Sequence, residues 1–188
     1  KAAEKSVDKW KVLRDASAAM TLLGIHSNSV AVLDALISFY PESEFRPDAQ
    51  LIVFPSNMQL SLRAHGMPNS TMRRHLALLV DAGLIIRKDS ANGKRYARKD
   101  RSGSVESAFG FDLSPLLVRA GELATMAQEV MAERAALRRA KESLTICRRD
   151  VRKLITAALE EEAPGNWALI ESTYLALVRR IPRSPTVT

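Results

Sequence analysis

Residues 54–98 read FPSNMQLSLRAHGMPNSTMRRHLALLVDAGLIIRKDSANGKRYAR, and this stretch decides the fold. Ser56 caps a helical run through Met58, Leu60 and Leu62 that stops at Gly66. Met67 and Pro68 make a turn. Asn69 or Ser70 then caps a second helix to about Ala82, with Gly83 just past its end. Leu84-Ile85-Ile86 predicts a strand. Asp89–Gly93 predicts a turn with an Asn92-Gly93 hairpin signal, and Arg95–Arg98 the returning strand. Helix, turn, helix and basic hairpin, in that order, is how a winged helix-turn-helix offers one helix to a DNA groove. The expected fold class is mostly α with a small β wing, the winged helix-turn-helix being followed by long helices.

Upstream, Val7, Trp10, Leu13 and Ala16 predict a helix over 6–23, ended by Gly24. Ser27 or Asn28 caps another, with Val30, Leu33, Leu36 and Ile37 as its stripe and Pro41 as its stop. Residues 41–50 hold two prolines and read as loop, and Leu51–Phe54 as a short buried strand. Downstream, residues 99–108 read as a flexible connector and Phe109–Asp112 as a short strand. Ser114 and Pro115 open a helical region to about Glu162. Leu116, Leu123, Val130, Leu137, Leu144 and Val151 fall seven apart there, while the companion column passes from Ala120 and Ala127 to Arg134, Lys141 and Arg148. That is one narrow stripe, not a two-column coiled-coil seam. Ser143 or Thr145 marks a candidate break. Asn166 caps a last helix through Ile170, Tyr174, Leu177 and Val178. The expected division is a DNA-binding domain at 1–101, a connector and short strand at 102–113, and a helical extension at 114–188 packing on the same unit.

Charge points the same way. The 188 residues carry a net +7. Residues 1–62 hold six basic and seven acidic side chains, residues 63–101 ten and three, and residues 102–188 twelve and eleven. On that division the excess sits in the helix pair and hairpin, which favours a polyanion over a merely soluble surface. A major groove admits one helix, and residues near that helix's start reach base edges. Met72, Leu76, Leu79 and Val80 are expected to face inward, with Leu60 and Leu62 anchoring the helix before them. Ser70, Thr71, Arg73, Arg74 and His75 are then the outward candidates. The arginines suit guanine or phosphate, and the hydroxyls suit phosphate beside free helix-start N–H groups. Arg87, Lys88, Asn92, Gly93, Lys94, Arg95 and Arg98 are the expected wing contacts to the backbone or minor groove. Each piece alone has a plainer reading, since paired arginines on a helix are usually only solvated. The order of the pieces lifts the combination.

Other chemistry finds no pattern. His26, His65 and His75 lack partners at metal spacing and read as surface or capping residues. Cys147 stands alone, excludes an internal disulfide and is expected to be a buried structural thiol. No phosphate loop, nucleophile elbow or paired carboxylates occur, so no cofactor, no metal and no enzymatic activity are expected. No apolar run is long enough to cross a bilayer, and a cytoplasmic location is expected.

Several stretches resemble one family: Asp8-Lys-Trp-Lys, Val32-Leu-Asp-Ala-Leu-Ile-Ser-Phe-Tyr-Pro, Phe54-Pro-Ser-Asn, Leu60-Ser-Leu-Arg-Ala-His-Gly, Asn92-Gly-Lys-Arg-Tyr-Ala-Arg, Phe109-Gly-Phe-Asp-Leu and Leu144-Thr-Ile-Cys-Arg-Arg-Asp-Val. They resemble the RepC replication initiators of alphaproteobacterial repABC plasmids, over nearly the whole chain. Phe109-Gly-Phe-Asp-Leu after the wing is the most specific of them. The resemblance implies a bacterial, plasmid-encoded initiator that binds double-stranded origin DNA lying within its own gene. It implies that this chain, which starts at Lys1 without Met, is roughly an N-terminal half. It also implies DNA contacts around Ser70–His75 and Asn92–Arg95. Host replication proteins and a second copy of the chain on DNA are further expected partners. Two other functions fit the same residues: a winged-helix transcriptional regulator, and a helical module for dimerisation or protein contact.

Overall fold

The computed structural model describes residues 5–90, 95–99 and 105–181. Asp8 accepts from the Lys11 amide and starts helix α1 (Lys9–Ala18), shorter than the expected 6–23. Residues beyond it turn through Gly24, at φ +65°. Val7–Asp8 (β1) pairs antiparallel with Glu44–Phe45 (β2), so a strand lies in the segment read as loop. Its anchor is Phe45, fully buried with its ring centroid 5.4 Å from that of Tyr40. Helix α2 (Ser27–Ser38) buries Val32, Leu33, Ala35, Leu36 and Ile37.

Strand β3 (Ile52–Val53) leads into α3 (Asn57–Arg63), which begins on a capping box. The Gln59 amide donates to Ser56 Oγ at 3.2 Å, and the Ser56 amide donates to Gln59 Oε1 at 2.8 Å. Leu60 and Ala64, one helical turn apart, face the core. Met58 and Leu62 lie two residues to either side of Leu60 and are 71% and 74% exposed, so Leu62 is not the expected anchor. His65 and Gly66, at φ 57° and 74°, reverse the chain. Pro68 stands just outside α4 (Asn69–Asp81), with φ −59° and ψ 145°. It costs the helix nothing there, because the first N–H groups have no intrahelical partner. Met72, His75, Leu76 and Leu79 form the buried face of α4, while Val80 is exposed against expectation. Gly83, at φ 64°, follows the helix as foreseen.

The sheet departs from the sequence reading. Its strands are β4 (Ile86–Lys88), β5 (Tyr96–Lys99) and β6 (Val105–Asp112), with β3. The order is β3–β6–β4, all antiparallel, and β5 also pairs with β6. Among the described residues β4 and β5 do not pair with each other, so the expected 84–98 hairpin is replaced by two separate pairings on β6. Residues 105–108, read as connector, are part of that shared strand.

The end of β6 explains why Phe109-Gly-Phe-Asp-Leu is needed. Phe109 stacks with Tyr96, centroids 5.3 Å apart. Gly110 lies against β3 so closely that a Cβ there would stand 2.2 Å from the Val53 carbonyl oxygen. Phe111 is buried opposite Val53 and Arg87. Asp112 accepts from the Ser114 amide at 2.9 Å and pairs with Lys88 at 2.9 Å. The Leu113 amide donates to the Leu51 carbonyl at 2.7 Å.

Helix α5 (Ser114–Val118) is separated by Arg119 from α6 (Ala120–Glu160), and α7 (Trp167–Arg180) follows. The chain is therefore mostly helical with small antiparallel sheets. α6 does not break at Ser143 or Thr145: it runs unbroken through both, with Thr145 Oγ1 donating to the Lys141 carbonyl at 2.8 Å. Two compact units divide the chain, Lys1–Met131 and Ala132–Thr188. In the first, one core joins α1–α5, β2, β3, the end of β6 and Leu123 at the start of α6. In the second, Ile155 is buried and the Tyr174 hydroxyl donates to the Arg148 carbonyl at 2.8 Å, but no residue of α7 is buried. The seven-residue stripe accordingly splits: Leu116, Leu123 and Val130 are buried, Leu144 and Val151 exposed. Cys147, expected inside, is exposed.

Candidate nucleic-acid interface

The first turns of α4 present Ser70, Arg73 and Arg74 to solvent, with Thr71 half-buried beside them. No side chain caps this end. The opening N–H groups therefore remain available to an anion, and the helix dipole favours one. Neither Arg73 nor Arg74 makes an ion pair among the described residues.

His75 does not join them. It is 1% exposed, and its Nδ1 lies 2.8 Å from Ser29 Oγ on α2. Its Nε2 is buried with no partner among the described residues. Burial, then the nearby positive charge of Arg74 and of His26, pushes its pKa below the ordinary range. A neutral ring tying α4 to α2 is thus a positioning element, and the outward assignment of His75 is corrected. The geometric reason is plain, since residues 72, 75, 76 and 79 share one helical face.

An open cleft of 580 Å³ runs between α4 and the sheet. Arg73 and Ala77 of α4, Arg87 of β4, Arg95 just before β5, Asn57 of α3 and Phe111 of β6 all line it, with Asp81 the acidic member. Three sequence-predicted contacts, Arg73, Arg87 and Arg95, therefore meet at one place. Their environments differ. Arg87 is exposed and pairs with Asp89 at 2.7 Å, a contact worth little in water. Arg95 is held by the protein: Nη1 donates to the Pro55 carbonyl at 2.9 Å and to Asn57 Oδ1 at 3.0 Å. Its guanidinium carbon lies 4.4 Å from the Phe111 ring centroid. Burial, then the charge of Arg87, lowers the Arg95 pKa from its ordinary value. Arg95 thus fastens the segment entering β5 to the start of α3.

Lys88 is exposed but committed to Asp112. Burial disfavours the Asp112 charge, yet hydrogen bonds from Lys88 and Ser114 outweigh it and hold that carboxyl below the usual range. Arg98 lies on β5, opposite Ser107 of β6. Asn92, Gly93 and Lys94 lie outside the described residues.

Two supporting residues escaped the sequence reading. Arg119 Nη1 donates to the Ala82 and Gly83 carbonyls, at 2.6 and 3.0 Å, and so caps the C-terminal end of α4. Its other nitrogens pair with Glu122. Arg63 donates to Ser38 Oγ at 2.8 Å and lies 3.7 Å over the Phe39 ring, joining α3 to α2. Only their basic character was visible beforehand. Among the described residues no cluster of three or more His, Cys, Asp or Glu side chains has metal-binding geometry, and no helix is long and apolar enough to cross a membrane.

A family model described as the replication protein C N-terminal domain matches residues 1–159. A putative replication protein C from Rhizobium rhizogenes is 73% identical over 183 residues, which is 97% of this chain and 45% of that protein. A putative replication protein C from Sinorhizobium fredii is 56% identical over the same shares. The chain spans less than half the length of these relatives. No solved structure matches.

Proposed function

The chain belongs to the replication protein C N-terminal domain family, and from that premise we propose that it is the duplex-reading part of a plasmid replication initiator. We read α3 and α4 as the helix pair of a winged helix-turn-helix, with α4 entering the major groove. β4, β5 and β6 form the wing. Ser70, Thr71, Arg73 and Arg74 meet bases and phosphates; Arg87, Asn92, Gly93, Lys94 and Arg98 track the backbone, while Lys88 holds Asp112. His75 and Arg95 position these groups from behind. Binding alone is required of these residues, so no catalytic group is assigned.

One observation carries this reading. The stretch from 63 to 101 holds ten basic and three acidic residues, and its Arg73, Arg87 and Arg95 line one cleft along the middle and end of α4. A winged helix used for protein contact has no need of that concentration. The test is plasmid maintenance by the full-length protein. Replacing Arg73 and Arg74 with Ala should abolish origin-dependent replication and leave expression of the protein intact. Normal replication by that variant would refute the assignment.

A further inference from the structure

A second basic surface lies in the unit Ala132–Thr188, where the even charge of residues 102–188 conceals it. Residues 134–153 carry eight Lys/Arg and two Asp/Glu, offset in the total by acidic residues elsewhere, such as Glu160–Glu162. Arg134, Arg138, Lys141, Arg148 and Arg152 recur at steps of four, three, seven and four, with Thr145 filling the gap. At 100° per residue these positions share an arc of about 80°, and they extend about 27 Å along α6. All five are exposed, and none makes an ion pair or a side-chain hydrogen bond among the described residues. Glu142 and Asp150 fall outside these positions, and Asp150 is taken by Arg149 at 3.0 Å.

A helix face that is only solvated mixes signs, since Glu and Lys at i, i+4 support each other and like charges there repel. Of the five, Arg138 alone has a carboxylate at such a spacing, Glu142, and the two make no ion pair among the described residues; the other four cations have none at i±3 or i±4. The column it continues is Ala120 and Ala127 earlier in α6, so the basic character begins where burial stops: between Val130 and Ile155 no residue of α6 is buried.

We propose that this stripe is a second nucleic-acid contact, a sequence-independent phosphate-binding face separate from α4 and the wing. It rests on the reading that the chain binds duplex DNA. A row of arginines on a rigid helix suits a regular line of phosphates, and because it touches no base edge it adds affinity without choosing sequence. A straight helix meets a curved backbone over only part of its length, so about two or three of the five cations engage at once.

The test uses the full chain and two duplexes, one bearing the origin and one scrambled, titrated from about 50 to 200 mM salt. Replacing all five cations with Gln, a good helix former, should leave the far-UV circular dichroism unchanged. The variant should lose affinity for both duplexes by the same factor. Its log affinity against log salt should flatten by about 2–3, because each phosphate contact contributes about 0.9. The charge-keeping exchange of the four arginines for Lys should retain the wild-type slope. If the Gln variant folds poorly, the Arg138→Gln/Lys141→Gln pair replaces it, with about 1–2 expected in slope. An unchanged slope on both duplexes overturns the proposal and leaves the stripe to an acidic protein. If wild-type chain binds neither duplex, the DNA-binding reading fails and this inference with it.

Discussion

Arg95→Ala separates a residue that holds the interface from one that touches DNA. The guanidinium makes two hydrogen bonds, to the Pro55 carbonyl and Asn57 Oδ1, and covers the Phe111 ring at 4.4 Å. Hydrogen bonds from a charged donor are worth about 1.5–3 kcal/mol in favourable settings. A cation over an aromatic ring adds about 0.5–2 kcal/mol. Arg95 is half-buried, so solvent screens part of both, and the net loss on truncation should be about 2–3 kcal/mol. For a chain of this size that is a fall in Tm of roughly 5–10 °C. Lys should rescue little, because one ammonium cannot span two acceptors and lie flat on a ring. DNA affinity should fall for every duplex as the start of β5 loosens, while the salt slope keeps its wild-type value. Thermal unfolding and anisotropy titrations at four salt concentrations measure both. Unaltered stability, with a slope shallower by about 0.9, would mean that Arg95 is simply a phosphate contact and that the positioning argument is wrong.

Gly110→Ala drives a Cβ to 2.2 Å from the Val53 carbonyl oxygen and should cost about 3 kcal/mol in urea unfolding; wild-type stability would contradict the tight β3–β6 approach. His75 has a lowered native pKa, so below about pH 6.5 the unfolded chain binds a proton that the native site resists. Stability should therefore fall as pH drops through that range, by up to about 1.4 kcal/mol per unit, and His75→Leu should remove this acid limb. A variant with an unaltered pH profile would place the titration elsewhere. Arg73→Ala and Arg74→Ala should each cost about 1–3 kcal/mol of origin binding and relax specificity if they read bases. Equal losses on origin and scrambled DNA would restrict them to phosphate.

Local signals in the sequence located the helices well and their partners poorly. Ser56 before α3, and Gly83 after α4, are punctuation that needs no tertiary knowledge, and both ends fell where expected. The inward face of α4 was legible at Met72, Leu76 and Leu79. His75 shares that face by spacing, but its polarity suggested the outside; only the Ser29 hydroxyl across on α2 makes its burial tolerable. The hairpin failed for a related reason. Asn92-Gly93 signals a local turn, whereas the partner of β4 is β6, whose pairing starts more than twenty residues later at Gly110 opposite Lys88. Pairing at that separation leaves no periodic trace. Arg95 and Arg119 show the limit for charged residues, since nothing in sequence says which guanidinium faces solvent and which a backbone carbonyl. The stripe on α6 was blurred by averaging charge over residues 102–188.

On the proposed function, this chain selects duplex DNA by sequence through α4 and the wing. The most direct test is binding of the chain to tiled fragments of its own coding DNA, each competed with scrambled duplex. One fragment, or one overlapping pair, should survive competition by roughly a thousandfold or more, the usual lower range of specific over non-specific binding. Uniform weak binding along every tile, abolished equally by scrambled competitor, would contradict it.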